Sequence, residues 1–113
     1  MATVADATTD NFRDLVSEGT VLVDVWGPAC VPCVALAPHV EQLAEDRPDL
    51  SVVKLEAPKA RRTCIELRVM SMPTFLLFRD GEEVARITDP ELSPAKLHEW
   101  LDESLDASPE EVS

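Results

Sequence analysis

The sequence is short of positive charge. Lys and Arg total 10 against 22 Asp and Glu, a formal net charge of -12. A surface of that sign repels phosphate backbones, so no nucleic-acid partner is expected. The shortfall is uneven: residues 1–79 hold 11 acids and 8 bases, residues 80–113 hold 11 acids and 2 bases. The simplest account is a soluble, self-repelling surface suited to salt. Selection of basic partners by the acidic half is the alternative, and no residue pattern supports it. Long apolar runs are missing as well. Nothing approaches the roughly 20 apolar residues of a membrane span, so no membrane partner is expected. The opening MATVADATTD lacks the basic and apolar regions of a secretory signal, which makes the cytoplasm the expected location. Cysteine is scarce too. Three residues, Cys30, Cys33 and Cys64, cannot all pair within one chain, and a reducing compartment disfavours a disulfide framework.

What is present suits one domain. The chain has 113 residues, 45% of them hydrophobic, enough for one modest core. Neither an internal repeat nor a linker divides it. The domain is expected over residues 1–106, with a flexible acidic tail at 107–113. A short strand is expected around Thr3–Ala5. Thr8 or Thr9 then caps a helix that carries Phe12, Leu15 and Val16 and stops at Gly19. Thr20–Trp26 is a near-continuous apolar run, the pattern of a strand covered on both faces. A helix should follow from near Cys30 to about Asp46, with Leu36, Val40 and Leu43 on one face and a kink at Pro38. Ser51–Glu56 is a strand and Lys59–Leu67 a short helix. Thr74–Arg79 and Glu82–Thr88 flank Asp80-Gly81, a strong hairpin signal. Ser93 caps a last helix with Pro94 at its first position. Alternating strands and helices imply parallel pairing with right-handed crossovers, and the hairpin adds an antiparallel edge. The expected fold is α/β: a central mixed sheet of 4–5 strands flanked by four helices.

Two cysteines three apart, between a strand and a helix, read as redox-active. Cys30 falls at the start of the helix, where unpaired amide groups favour a thiolate, the form that attacks disulfides. Cys33 lies one turn inside and can resolve a mixed disulfide. Pro32 sits where its missing amide costs nothing, and it stiffens the loop. Asp24 points away from Val23 and Val25 and should be buried. A buried carboxyl has a raised pKa and can take the proton that Cys33 must lose; the plainer reading is a tolerated polar residue beside a bound water. Lys54 is its expected neighbour. Met72-Pro73 precedes a strand: a cis bond would leave the Met72 backbone free for an extended substrate, a trans bond would merely start the strand. Cys64 reads as a small core hydrophobe. A zinc site from Cys30, Cys33, His39 and Cys64 fits in number but not in placement, so neither metal nor cofactor is expected. Lys59, Arg61, Arg62 and Arg68 read most simply as a solvated helix face, with selection of acidic clients the alternative.

These residues resemble a known family. VLVDVW, a short gap, CVPC and then LAP are similar to the thioredoxin active-site segment, commonly VLVDFWAxWCGPCxxxAP. VVKLE, SMPTFLLFRDGEEV and the terminal helix follow in the same order, so the resemblance covers nearly all of residues 7–105. It implies the thioredoxin fold. It also implies a protein-disulfide reductase acting by dithiol–disulfide exchange without a cofactor, and a monomer charged by a thioredoxin-reductase-like donor. It further implies Cys30 as nucleophile with a lowered pKa, Cys33 as resolving thiol and Asp24 as buried proton acceptor. Lys54 would stand beside Asp24 and Trp26 beneath the site, with Pro38 at the helix kink and Pro73 in cis. Ala29 replaces the usual Trp, which removes an apolar partner contact, and Val31 replaces the usual Gly. Alternatives are a more oxidising, disulfide-forming or isomerising protein and a non-catalytic binding module of the same fold.

Overall fold

A computed structural model describes residues 4–106. Thr3 of the first expected strand and the tail expected at 107–113 lie outside the described residues. The elements run β1 (Val4–Ala7), α1 (Phe12–Leu15), β2 (Thr20–Trp26), α2 (Val31–Asp46), β3 (Ser51–Glu56), a 3-10 turn (Ala57–Lys59), α3 (Arg61–Leu67), β4 (Thr74–Arg79), β5 (Glu82–Thr88) and α4 (Pro94–Asp106). They form one five-stranded sheet of order β1-β3-β2-β4-β5. β3 pairs in parallel with β1 and β2, whereas β4 pairs antiparallel with β2 and β5.

Side chains alternate across a strand, so each central strand feeds two cores. Val21, Val23 and Val25 join Phe12, Val16, Val53, Leu55, Leu67, Leu76 and Phe78 on the face covered by α1 and α3. Leu22 joins Val52, Phe75 and Leu77 on the face covered by Leu36, Val40 and Leu43 of α2 and Leu97 and Leu101 of α4. This double coverage is why β2 carries an almost unbroken apolar run.

The hairpin turn has Asp80 and Gly81 both at positive φ, 51° and 90°. That pair of angles matches the twist of the flanking strands. The Asp80 carboxylate accepts from the Gly19 amide at 2.9 Å, and the Asp80 amide donates to the Gly19 carbonyl at 2.9 Å. Ser93 Oγ accepts from the Lys96 amide at 3.2 Å, capping α4.

Two helices depart from expectation. The first is one turn, Phe12–Leu15, and it does not reach Gly19; Asn11 precedes it without a side-chain cap hydrogen bond of its own. The expected threonine cap is present: the Thr8 amide donates to Asn11 Oδ1 at 2.6 Å and the Asn11 amide to Thr8 Oγ1 at 3.3 Å, the reciprocal pattern of a capping box, and the Phe12 amide donates to the Thr8 carbonyl at 3.0 Å. At the far end Ser17 Oγ donates to the Asp14 carbonyl at 2.8 Å, an alternative to helical pairing. The third helix starts at Arg61, because Ala60 has the non-helical angles φ -135° and ψ 46°.

Candidate active site

β2 and β3 run parallel and end together at Trp26 and Glu56. Loops beyond the carboxyl ends of parallel strands are where open α/β sheets place ligands. Here those loops carry the cysteine pair on one side and the 3-10 turn on the other. Cys30 is the N-cap of α2, with extended angles of φ -89° and ψ 100°. Its amide donates to the Gly27 carbonyl at 3.0 Å, and its carbonyl accepts from the Val34 amide at 3.1 Å. Its sulfur takes the place of a capping oxygen, accepting from the Cys33 amide at 3.2 Å. That sulfur therefore meets the unpaired donors of the first turn, where negative charge is favoured. Cys30 and Cys33 are joined by a disulfide with Cα atoms 5.3 Å apart. Cys30 is partly exposed and Cys33 is buried. Pro28, Ala29 and Val31 are exposed around the pair and Pro32 is half-buried.

Asp24 is 2% exposed and lies one strand position from the α1 and α3 core. It shares the α2 face with Leu22 and stands in register between Lys54 of β3 and Phe75 of β4. Burial pushes its pKa up to about 7, against the pull of the Lys54 ammonium. Desolvation is the dominant cause, because removing water penalises the charged form more than one nearby cation restores. Lys54 also stacks on Trp26, its ammonium 4.8 Å from the ring centroid. Trp26 stands two residues beyond Asp24 on the same face, half-buried. The structure thus brings Asp24, Lys54 and Trp26 together on neighbouring strands, with Asp24 on the sheet face that α2 covers.

The Met72-Pro73 bond is cis, and Pro73 is buried. Thr74 Oγ1 lies 2.7 Å from the Ser71 carbonyl and 2.8 Å from Thr88 Oγ1, which holds the bend to the β4–β5 ladder. Gly27 provides the contact between this bend and the cysteine loop. A Cβ on Gly27 would fall 3.3 Å from Met72 Cε and Sδ and 3.6 Å from Pro58 Cδ. Pro38 is not part of this assembly. It stands inside α2, and its exposed ring borders a separate cleft with Val4, Glu41, Gln42 and Glu45.

Beside Met72 runs an open groove of about 410 Å³, lined by Ala57, Pro58, Arg61, Cys64, Ile65 and Met72. Sequence reasoning did not assemble it. Its one available signal was Pro58 just past the carboxyl end of a parallel strand. Cys64 is buried and free, and burial pushes its thiol pKa up. His39 is exposed. Among the described residues, no three His, Cys, Asp or Glu side chains converge as a metal centre would require. Among the same residues, no helix is long and apolar enough to cross a membrane.

A capping sulfur bonded to a buried sulfur one turn in, above a sheet with helices on both faces, defines a class: the thiol–disulfide oxidoreductases. The chain belongs to the thioredoxin family, whose profile matches residues 3–103. It is 42% identical to the thioredoxin of Chlamydia muridarum over 77 residues, covering 68% of this chain and 76% of that one. It is 40% identical to the thioredoxin of Bacillus subtilis over 82 residues, 72% and 79% of the two chains. To that of Mycobacterium tuberculosis it is 40% identical over 89 residues, 78% and 77%. In fold it is similar to Malassezia sympodialis thioredoxin, with a TM-score of 0.80 over 92% of both chains at 22% identity. The protein is thus a thioredoxin-type protein-disulfide oxidoreductase, a family whose substrates are protein disulfides and whose electrons come from a reductase.

Proposed function

We propose that this chain works as a cytoplasmic, monomeric, single-domain reductant of protein disulfides, with Cys30 as the attacking thiol and Cys33 as the resolving one. In the reduced protein the Cys30 thiolate attacks one sulfur of a client disulfide. The client S–S bond breaks, and the departing client thiolate takes a proton from water. Cys33 then gives its proton to the Asp24 carboxylate and attacks Cys30. The mixed disulfide breaks, the second client sulfur leaves as a thiolate and is protonated, and Cys30–Cys33 is oxidised. Two electrons have passed to the client, and a reductase returns two to the pair. The N-cap position of Cys30 supports the first step, and the burial of Cys33 supports the second. Asp24 supplies the base, since a carboxyl with its pKa near 7 is about half ionised at neutral pH. Lys54 and Trp26 hold the charge and packing around it.

The observation that carries this reading is the pairing of a partly exposed capping sulfur with a buried one. Insulin reduction by dithiothreitol-charged protein tests it. Activity should vanish in Cys30→Ser, whereas Cys33→Ser should accumulate a covalent mixed disulfide with the client. Retained activity in Cys30→Ser, or a trapped adduct on that variant in place of Cys33→Ser, overturns the assignment.

A further inference from the structure

The segment that forms the groove beside Met72 carries charge opposite to that of the molecule. Residues 56–72 hold four bases, Lys59, Arg61, Arg62 and Arg68, and two acids, Glu56 and Glu66, within a chain of net charge -12. All four bases are exposed. Both acids are engaged, Glu56 with Lys59 at 3.8 Å and Glu66 with Arg13 at 3.9 Å. Among the described residues, the guanidinium groups of Arg61, Arg62 and Arg68 have no ion-pair partner. Helical spacing sets Arg61, Cys64 and Ile65 along one side of α3, and Arg68 follows at its left-handed C-cap. Arg61, Cys64 and Ile65 line the groove itself. Its apolar content is open to water: Ile65 is 76% exposed. Met72 and Pro58 of its lining close on Gly27, whose carbonyl accepts the amide of Cys30. Much of the negative charge lies elsewhere, because α4, with Glu99, Asp102, Glu103 and Asp106, covers the opposite sheet face.

From this arrangement the geometry points to a client specificity: the groove receives an extended segment next to the client disulfide that carries an apolar side chain flanked by Asp or Glu. The inference rests on the oxidoreductase reading above and adds the substrate class. The apolar side chain covers Ile65 and Met72, and the flanking carboxylates meet Arg61, Arg62 and Arg68. A basic segment at the same place would set cation against cation.

Salt concentration separates this local effect from the field of the whole molecule. At about 0.1 M salt the screening length is about 10 Å, so distant acids are muted while carboxylates in the groove still reach the arginines. The test uses two synthetic peptides, each closed by an internal disulfide with Leu near one cysteine. One has Glu on either side of the Leu and the other has Lys. The kcat/KM ratio of the Glu peptide to the Lys peptide, measured at about 0.1 M NaCl, should be about fivefold or more and should shrink toward one at about 0.5 M. In the double variant Arg61→Glu, Arg62→Glu the ratio should invert. Because the ratio is taken within each protein, any loss of folded fraction cancels. Equal rates, a preference for the Lys peptide, or a Glu preference that survives in the double variant overturns the specificity while leaving the oxidoreductase reading in place. Failure to reduce either peptide brings down both. Concentration-dependent dimerisation that the double variant abolishes would assign the groove to a second copy of the chain and overturn the peptide assignment.

Discussion

Asp24 makes one side chain answer to two demands. The proton transfer proposed from Cys33 would need a base held near neutral pH, and burial raises the carboxyl pKa to about 7 from 3.8 against the pull of Lys54. The same shift costs stability. Between about pH 4 and pH 7 the native chain keeps a proton that the unfolded chain has released. Stability is therefore highest at the acid end and falls as pH rises, by about 1.4 kcal/mol per unit and on the order of 4 kcal/mol in all, then levels off above about pH 7. Asp24→Asn removes the titration. The difference in stability between variant and wild type should grow from near pH 4 to near pH 7, reaching about 2–4 kcal/mol in favour of the variant at pH 8. Urea unfolding of both oxidised proteins across that range measures it, and parallel curves would show that folding leaves the Asp24 pKa unshifted, so that the carboxyl ionises in the folded chain as it does in the unfolded one. The burial of Asp24 was legible in the sequence, because period-two alternation among β-branched residues assigns it to one covered face. The stacking of Lys54 on Trp26 was not, since it depends on the parallel register of β2 and β3, which sets Lys54 opposite Asp24 and Glu56 opposite Trp26.

At the scale of elements, α3 and its exit position both the groove and the cis-proline bend. The helix ends in a Schellman arrangement: the Val69 amide donates to the Cys64 carbonyl at 2.9 Å and the Arg68 amide to the Ile65 carbonyl at 3.1 Å. Arg68 holds the left-handed position that glycine usually occupies, at φ 58°. Arg86 of β5 closes the same end. Its guanidinium donates to the Leu67 carbonyl at 2.7 Å and the Arg68 carbonyl at 3.3 Å while paired with Glu83 at 2.6 and 2.7 Å. Arg68→Gly relieves the left-handed strain and leaves those backbone bonds in place, so stability should rise by about 0.5–1 kcal/mol. A higher urea midpoint at unchanged slope is the expected record, and a lower midpoint would mean that the Arg68 side chain itself stabilises the fold. Strand bounds at β2, β3, β4 and β5 were legible because apolar runs and the Asp80-Gly81 turn delimit them sharply. The early end of the first helix was not, because Ser17 Oγ turns back onto the Asp14 carbonyl before the chain reaches Gly19. Nor was the Arg86 clamp, which needs the register shift between Leu77 and Phe78 that no local pattern announces.

For the whole molecule, charge works against compactness. With 22 acids and 10 bases, at least 12 carboxylates have no cation to offset them, whatever the pairing. The ion pairs seen, such as Arg47 with Asp102 and Lys96 with Asp89, lie at the surface, where each contributes about 0–1 kcal/mol and weakens in salt. Like-charge repulsion spread over the surface also weakens in salt, but with the opposite effect on stability. Because the acids outnumber the bases by more than two to one, the repulsive part should win. Raising NaCl from about 20 mM to about 0.5 M at pH 8 should stabilise the oxidised protein by about 1 kcal/mol. The buried carboxyl offers an internal control. Asp24 is 2% exposed, and a charge so placed is screened far less than one in water. Wild type and Asp24→Asn should therefore gain about equally from salt, although they differ at every salt concentration. Thermal unfolding of both proteins at the two concentrations separates the contributions. A gain confined to wild type would place the repulsion at Asp24 instead of at the surface. Destabilisation by salt in both would mean that the surface ion pairs outweigh the excess of acid.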